Sequence, residues 1–258
     1  MLGLKFRVEG IYFVSFRKPT TTALSLTYLL PPFTTLRGLI ANALGLPRDS
    51  FEIQEWFKIG IRPDGRPQKN KEMAKLLKMI SRKEVYKCQA CEYEFISETK
   101  PKKCPKCFST AIIKIKKPIY ERTFPSSPVH REFLVRPSYW IYLVGEEDKI
   151  KEIHKALNNP KRPLYLGASD DLVDLEVFEP IKVERTQSNE VHSILDGVYE
   201  GCLIENLPYR FVPVKDKRGN LKEVHLEYKL VSIPKAFPYV VENHIEVWDF
   251  DGEFVRVI

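Results

Sequence analysis

No apolar run of about 18 residues occurs anywhere in this chain of 258 residues, so the sequence holds no membrane-spanning helix. The first seventeen residues alternate in character and carry charges through their apolar part; this is the pattern of a strand and not of a leader peptide, and the expected location is the cytoplasm. Internal repeats and low-complexity tracts are also missing. Histidine and cysteine are scarce, at five each, and there is no Ser-His-Asp arrangement, phosphate-loop motif or His-x-Glu deaminase pattern. Little is therefore left from which to build an enzyme. His154 is expected to pack in the core on the apolar face of a helix, and His225 lies on the polar face of a strand. Asp170, Asp171 and Asp174 could hold a metal, but read better as closing the turn that begins at Gly167 and Ser169.

What the chain does have is a localised basic excess. Residues 55–125 contain 18 Lys and Arg against 8 Asp and Glu, whereas the remainder holds 23 against 26. One segment therefore carries the entire net charge of +7. Clustered cations point to a polyanionic partner, nucleic acid first, with a solvated lysine-rich surface as the plainer alternative.

The length is enough for one large or two smaller cores. Leu4, Phe6 and Val8 alternate with Lys5, Arg7 and Glu9, and the apolar character continues through Ile11–Phe16, which predicts a central strand ended by Arg17-Lys18-Pro19. Leu36, Leu39, Ile40, Ala43 and Leu44 then form one helical stripe. Pro31-Pro32 precedes it, Thr34 or Thr35 is available as a cap, and Gly45 with Pro47 ends it. Met73, Leu76, Leu77 and Ile80 have helical spacing within Lys71–Arg82. Ile150, Ile153, His154 and Leu157 predict another helix after strands at Phe133–Val135 and Tyr139–Val144. Beyond residue 185 the texture is hairpins, with turns at Asp216–Asn220 and Asp251-Gly252. The class is α+β, with helices on an antiparallel sheet followed by a β-rich C-terminal part.

Cys88-x2-Cys91-x12-Cys104-x2-Cys107 is the most specific chemical signal. Each pair fits a tight turn with both sulfurs aimed at one centre, and two such turns supply four thiolates to structural Zn2+. Lys87, Lys102, Lys103 and Lys106 lie beside them and offset the thiolate charge. Two disulfides, or an iron–sulfur centre, fit the same spacing. Four cysteines leave no open position, so the site is expected to be structural. Cys202 stands apart as a small buried hydrophobe.

The order of these features carries a resemblance. A strand from Leu4 is followed by Pro31-Pro32-Phe33-Thr34-Thr35-Leu36-Arg37-Gly38, running on to Ala43-Leu44-Gly45. Phe133-Leu134-Val135-Arg136-Pro137, a helix and Arg162-Pro163-Leu164-Tyr165-Leu166-Gly167 come later. Over residues 1–180 the chain resembles the Cas-five family of the RAMP superfamily in CRISPR systems. The resemblance implies a ferredoxin-like (RNA-recognition type) domain at 1–180 and a β-rich C-terminal domain at 181–258. Residues 55–125 would form a basic thumb carrying the zinc ribbon, where the family usually has a plain hairpin. It also implies a non-catalytic subunit of a type I Cascade-like surveillance complex that grips the 5′ handle of the guide RNA and caps one end of the complex in antiviral defence. The implied partners are the guide RNA, the backbone and large subunits of the complex, and target DNA, with no membrane. Arg17, Lys18, Arg37, Arg131 and Arg136 are the expected RNA-binding residues, since a single-stranded handle is gripped through its phosphates and its splayed bases. Helix N-termini such as the one after Pro32 favour phosphate too.

Two other readings compete. His130-Arg131, with Lys117 and Tyr120, could support a metal-independent endoribonuclease that processes precursor guide RNA. A free-standing zinc-ribbon protein of the transcription or translation machinery would bind without CRISPR partners.

Overall fold

The computed structural model describes residues 1–19, 24–77, 84–115, 126–216 and 219–258. It is α+β and mostly strands, with two α-helices among the described residues, α1 (Phe33–Leu44) and α2 (Glu147–Asn158). No helix among them is long and apolar enough to cross a membrane. The chain divides into two compact units: Met1–Glu72 together with Arg131–Ile258, and Met73–His130.

The first unit is organised on an antiparallel sheet in the order Val173–Val177, Leu2–Gly10, Ser138–Gly145 and Phe57–Pro63, with Ile181–Lys182 also beside Leu2–Gly10. In chain order this is strand, α1, strand, strand, α2, strand. The period-2 pattern of the first strand sets the layers. Leu4, Phe6 and Val8 pair in register with Leu143, Ile141 and Tyr139, and all six are fully buried in one core with Leu36, Ile40, Ile150 and Ile153 of the helices. Lys5, Arg7 and Glu9 point to the other face, opposite Tyr142, Trp140 and Ser138. Tyr142 and Val144 on that face pack with Val183, Trp248, Phe250 and Val255 of the C-terminal part.

The first strand is shorter than the run of apolar residues predicts. It ends at Gly10, and Phe13–Val14 pairs in a different sheet with Ser126–Val135, leaving Tyr12 and Phe13 exposed. The break falls where Gly10 passes so close to Val14 and Pro137 that any Cβ would clash.

Helix α1 follows the predicted stripe and ends as expected. Gly45 is left-handed at φ 71°, its N–H donates to Asn42 O, and the Leu46 N–H donates to Ala41 O, the paired bonds of a Schellman end. Its start differs. Pro32 is the N-cap, Thr34 and Thr35 lie inside the first turn, and no side chain caps the helix. Pro32 brings a fixed φ to the helix entry, and its carbonyl accepts from the Thr35 and Leu36 N–H groups at 2.9 and 3.1 Å.

A second correction concerns Lys71–Arg82. Lys69–Leu77 is a strand paired with Ser126–Val135, and residues 78–83 lie outside the described residues. Three or four apolar residues at helical spacing do not offset helix nucleation when a ladder partner is at hand. His154 is half-buried at one edge of α2, with Nε2 3.0 Å from Asn158 Nδ2, and so is not packed fully in the core. In the C-terminal part, Tyr239–Phe250 and Glu253–Val255 form the expected hairpin, with Asp251 and Gly252 both at positive φ.

The second unit holds a three-stranded antiparallel sheet with Glu84–Cys88 between Glu94–Ser97 and Ile112–Ile115.

Glu205, on the Leu203–Lys215 strand, fixes the approach to α1. It is buried, and accepts from Lys18 Nζ at 2.8 Å and from the Leu29 N–H at 3.0 Å. Replacing it with Ala strands both donors. The urea midpoint of Glu205→Ala should fall by the equivalent of about 1–3 kcal/mol with an unchanged slope.

Candidate nucleic-acid interface and cysteine centre

The start of α1 borders a groove of about 530 Å3. Pro32, Thr34 and Thr35 line one side, Arg17 and Arg131 supply its cations, and Gly167 and Ala168 come from the loop after α2. Among the described residues no side chain caps α1 and its first turn has no acid, so the positive end of the helix is not offset from within the helix. Tyr28 and Ser15 form part of the lining, with Pro208 and Leu226 from the long C-terminal hairpin. Asp170 is the acid in the lining. Burial, with the charges of Tyr228 and Glu205, pushes the Tyr28 hydroxyl up to about 12, so it stays neutral and able to donate. Lys18 Nζ sits 4.6 Å from the centre of its ring.

The loop that closes this groove depends on two residues. Asp171 is buried, and its Oδ2 accepts from the Ser15 N–H at 3.1 Å and the Ala168 N–H at 3.0 Å. Burial raises its carboxyl above the usual range, against the pull of those two amides. This is the turn-closing role expected of the acidic group. Gly167 has φ 79°, and a Cβ on it would lie 2.5 Å from Ser15 O and 2.7 Å from Asp171 Oδ2. Gly167→Ala should therefore lower stability by about 1–3 kcal/mol, read as a fall in thermal midpoint.

The five basic residues picked out from the sequence do not share one environment. Arg17 is exposed and Arg131 half-exposed, and both line the groove; Arg131 has one long ion pair, 3.8 Å to Glu72. Lys18 is bound to Glu205. Arg37 is buried in α1: its Nη1 donates to Tyr209 O, its guanidinium carbon lies 5.1 Å from the Tyr209 ring centre, and its Nε has no hydrogen-bond partner among the described residues. Burial lowers its pKa, against the favourable influence of Tyr209. Arg136 lies in the turn after the Ser126–Val135 strand, and not on the strand, at φ 42° and paired with Glu9 at 2.9 Å. Tyr28, Pro208 and Leu226 had no sequence signal that pointed to the groove. They meet it only through long-range packing. For the endoribonuclease alternative, His130 is exposed, while Lys117 and Tyr120 lie outside the described residues.

The cysteine centre is built from two equivalent turns. The Cys88 N–H donates to Tyr93 O at 3.0 Å and the Cys104 N–H to Ser109 O at 2.8 Å, the same spacing in each. The residue after each second cysteine, Glu92 at φ 55° and Phe108 at φ 58°, is left-handed. A Gln89 N–H to Ala111 O bond of 2.8 Å ties the turns together. All four Sγ atoms lie within 4.8 Å of one another, with Cys88–Cys107 at 3.5 Å and Cys91–Cys104 at 3.7 Å. Sulfurs bonded in a disulfide stand about 2.05 Å apart. A tetrahedral thiolate centre, with metal–sulfur bonds of about 2.3 Å, has its sulfurs about 3.8 Å apart, so the observed set fits a metal ion. As free thiols the four compete for protons. Against burial, the amides of Cys91 and Ala90 hold Cys88 at about 6. Against the Ser109 amide, the neighbouring thiols push Cys107 up to about 12. Among the described residues this is the one cluster of its kind.

Comparison with curated proteins returns no match. Among solved structures, one described as "CRISPR RNA-guided surveillance complex" aligns over 95% of this chain and 91% of its own, with 14% identity and a TM-score of 0.52. It shares the fold. A CRISPR protein from Archaeoglobus fulgidus aligns over 99% and 98% with 14% identity and a TM-score of 0.45. The family profile described as "CRISPR-associated protein (Cas_Cas5)" matches residues 3–228. With nearly the whole length matched, the chain belongs to the Cas_Cas5 family of CRISPR-associated proteins.

Proposed function

We propose that this chain is a non-catalytic subunit of a type I CRISPR surveillance complex of the Cascade kind. It binds the 5′ handle of the guide RNA and caps one end of the assembly, beside the backbone and large subunits. The observation that carries this reading is the groove at α1, where Arg17 and Arg131 face an uncapped helix start in a chain of this family. Backbone N–H groups and the helix dipole suit a phosphate, and the two arginines suit its neighbours along a single strand. Tyr28 adds a ring and a hydroxyl donor. Lys18, Arg37 and Arg136, each engaged within the protein, support the site indirectly.

The strand–helix–strand–strand–helix–strand order, with the sheet arranged Val173–Val177, Leu2–Gly10, Ser138–Gly145, Phe57–Pro63, is read as ferredoxin-like. The cysteine turns are read as a zinc ribbon within the basic thumb. Cys88, Cys91, Cys104 and Cys107 would hold one Zn2+, which supplies a cross-link and no open position for a reacting water. Target DNA is a further partner of the assembled complex.

Incubation of the purified protein with repeat RNA in EDTA tests the non-catalytic assignment. Binding without cleavage is the expected result. Specific cleavage that is lost in His130→Ala would replace this reading with the endoribonuclease.

A further inference from the structure

The outer face of the main sheet is only partly covered. Tyr142 and Val144 are buried under the C-terminal strands, whereas Trp140, two residues earlier on the same face, is half-buried at the edge of that core. It borders a cavity of about 900 Å3 lined by residues 62–70 and 233–237, with Leu29 and Leu30 at its side. Arg62, Arg66, Lys69 and Lys235 line it against one acid, Asp64. Asp64 is already neutralised, because its Oδ2 accepts from Arg7 Nε at 2.8 Å.

The cations divide into two kinds. Arg62 is held by Glu253 at 3.0 Å, with its guanidinium carbon 5.4 Å from the Trp140 ring centre. Lys69 donates to Thr27 O at 2.8 Å. Arg66 and Lys235 are exposed and have no ion-pair partner among the described residues. A fixed, flat, cationic platform thus lies beside two uncommitted charges, with Phe237 as a second ring.

We infer that this cavity is a second binding site for single-stranded nucleic acid. Arg66 and Lys235 take phosphates, and bases stack on the Arg62–Trp140 platform and on Phe237. An acidic peptide would satisfy the cations and leave the rings unused. The cavity shares no lining residue with the α1 groove, and the chain from Tyr28 to Pro32 runs between them: Leu29 and Leu30 line this one, Tyr28 and Pro32 the other. The inference does not rest on the handle assignment.

The test titrates the full chain with fluorescein-labelled oligouridylate of about eight nucleotides at low salt, a length suited to one such site. Wild type should bind two probes per chain. Arg66→Glu with Lys235→Glu should bind one, as should Arg17→Glu with Arg131→Glu. The neutral pair Arg66→Gln with Lys235→Gln removes no packing and should weaken the second site with a salt slope shallower by about 1.4. Trp140→Phe should abolish the tryptophan quenching that accompanies filling of that site. One probe per wild-type chain, lost only with the Arg17 and Arg131 changes, overturns the second site and leaves the α1 groove standing. Two probes retained after both changes at Arg66 and Lys235 overturns it as well. Displacement of oligouridylate from this site by polyglutamate at equal charge concentration overturns nucleic acid as its occupant.

Discussion

Cys104→Ser is expected to abolish metal binding at the cysteine centre and to unfold residues 84–115 while the first unit stays folded. The expectation follows from how little else holds the second unit. Among its described residues, the buried hydrophobic side chains are Val85, Tyr86, Cys88 and Cys104, two of which are thiols of the centre. So small a core does not stabilise a fold without a cross-link. Structural zinc contributes on the order of 10–16 kcal/mol to comparable small motifs, and nearly all of it is folding free energy. Serine supplies a poor ligand at a buried vertex, and it loses the sulfur that accepts from the Lys106 N–H at 3.4 Å. Elemental analysis should find one zinc per wild-type chain and none per variant chain. Limited proteolysis of the variant should then cut within 84–115. The core of the first unit shares no buried side chain with this centre, so its thermal transition should persist. A variant without metal that still resists protease across 84–115 would show that the sheet Glu84–Cys88, Glu94–Ser97 and Ile112–Ile115 stands without the ion.

Reversing Arg17 and Arg131 together should weaken handle binding by a hundredfold or more. A charge-assisted hydrogen bond to phosphate is worth about 1.5–3 kcal/mol, which is roughly ten- to a hundredfold for each arginine. Both side chains reach solvent, and among the described residues their one ion pair is the long contact from Arg131 to Glu72, so folding should be little affected. The salt dependence gives a second readout. Each phosphate contact removed should make the plot of log affinity against log salt shallower by about 0.7. Arg37→Glu would also weaken binding, through collapse of the α1–Tyr209 packing, and would lower the thermal midpoint with it. That coupled loss separates a supporting residue from a contacting one.

Features set by local chemistry were legible in the sequence. The stripe from Leu36 to Leu44 and Gly45 located the body and the C-terminal end of α1, because each acts within one or two turns of itself, while the start fell at Pro32 and not at a threonine cap. The two Cys-x-x-Cys pairs located the cysteine centre because ligand spacing is a local constraint. Asp251-Gly252 marked its hairpin for the same reason. What escaped depended on distant partners. Lys69–Leu77 took a strand through pairing with the distant Ser126–Val135, over its own helical spacing. Arg37 has the polarity of a surface residue, and only Tyr209 of the C-terminal hairpin explains its burial. The groove itself joins Tyr28, Arg131, Gly167 and Leu226, four stretches that no local pattern links.

Purification of the complex through a tag on this chain, followed by sequencing of the 5′ ends of the RNA that comes with it, tests whether the chain holds the handle of a guide RNA. Neighbouring CRISPR subunits and RNA with one defined repeat-derived 5′ end should come with the chain, and both should be lost in Arg17→Glu with Arg131→Glu. Chain recovered without RNA, or RNA with heterogeneous 5′ ends that the double variant retains, would contradict it.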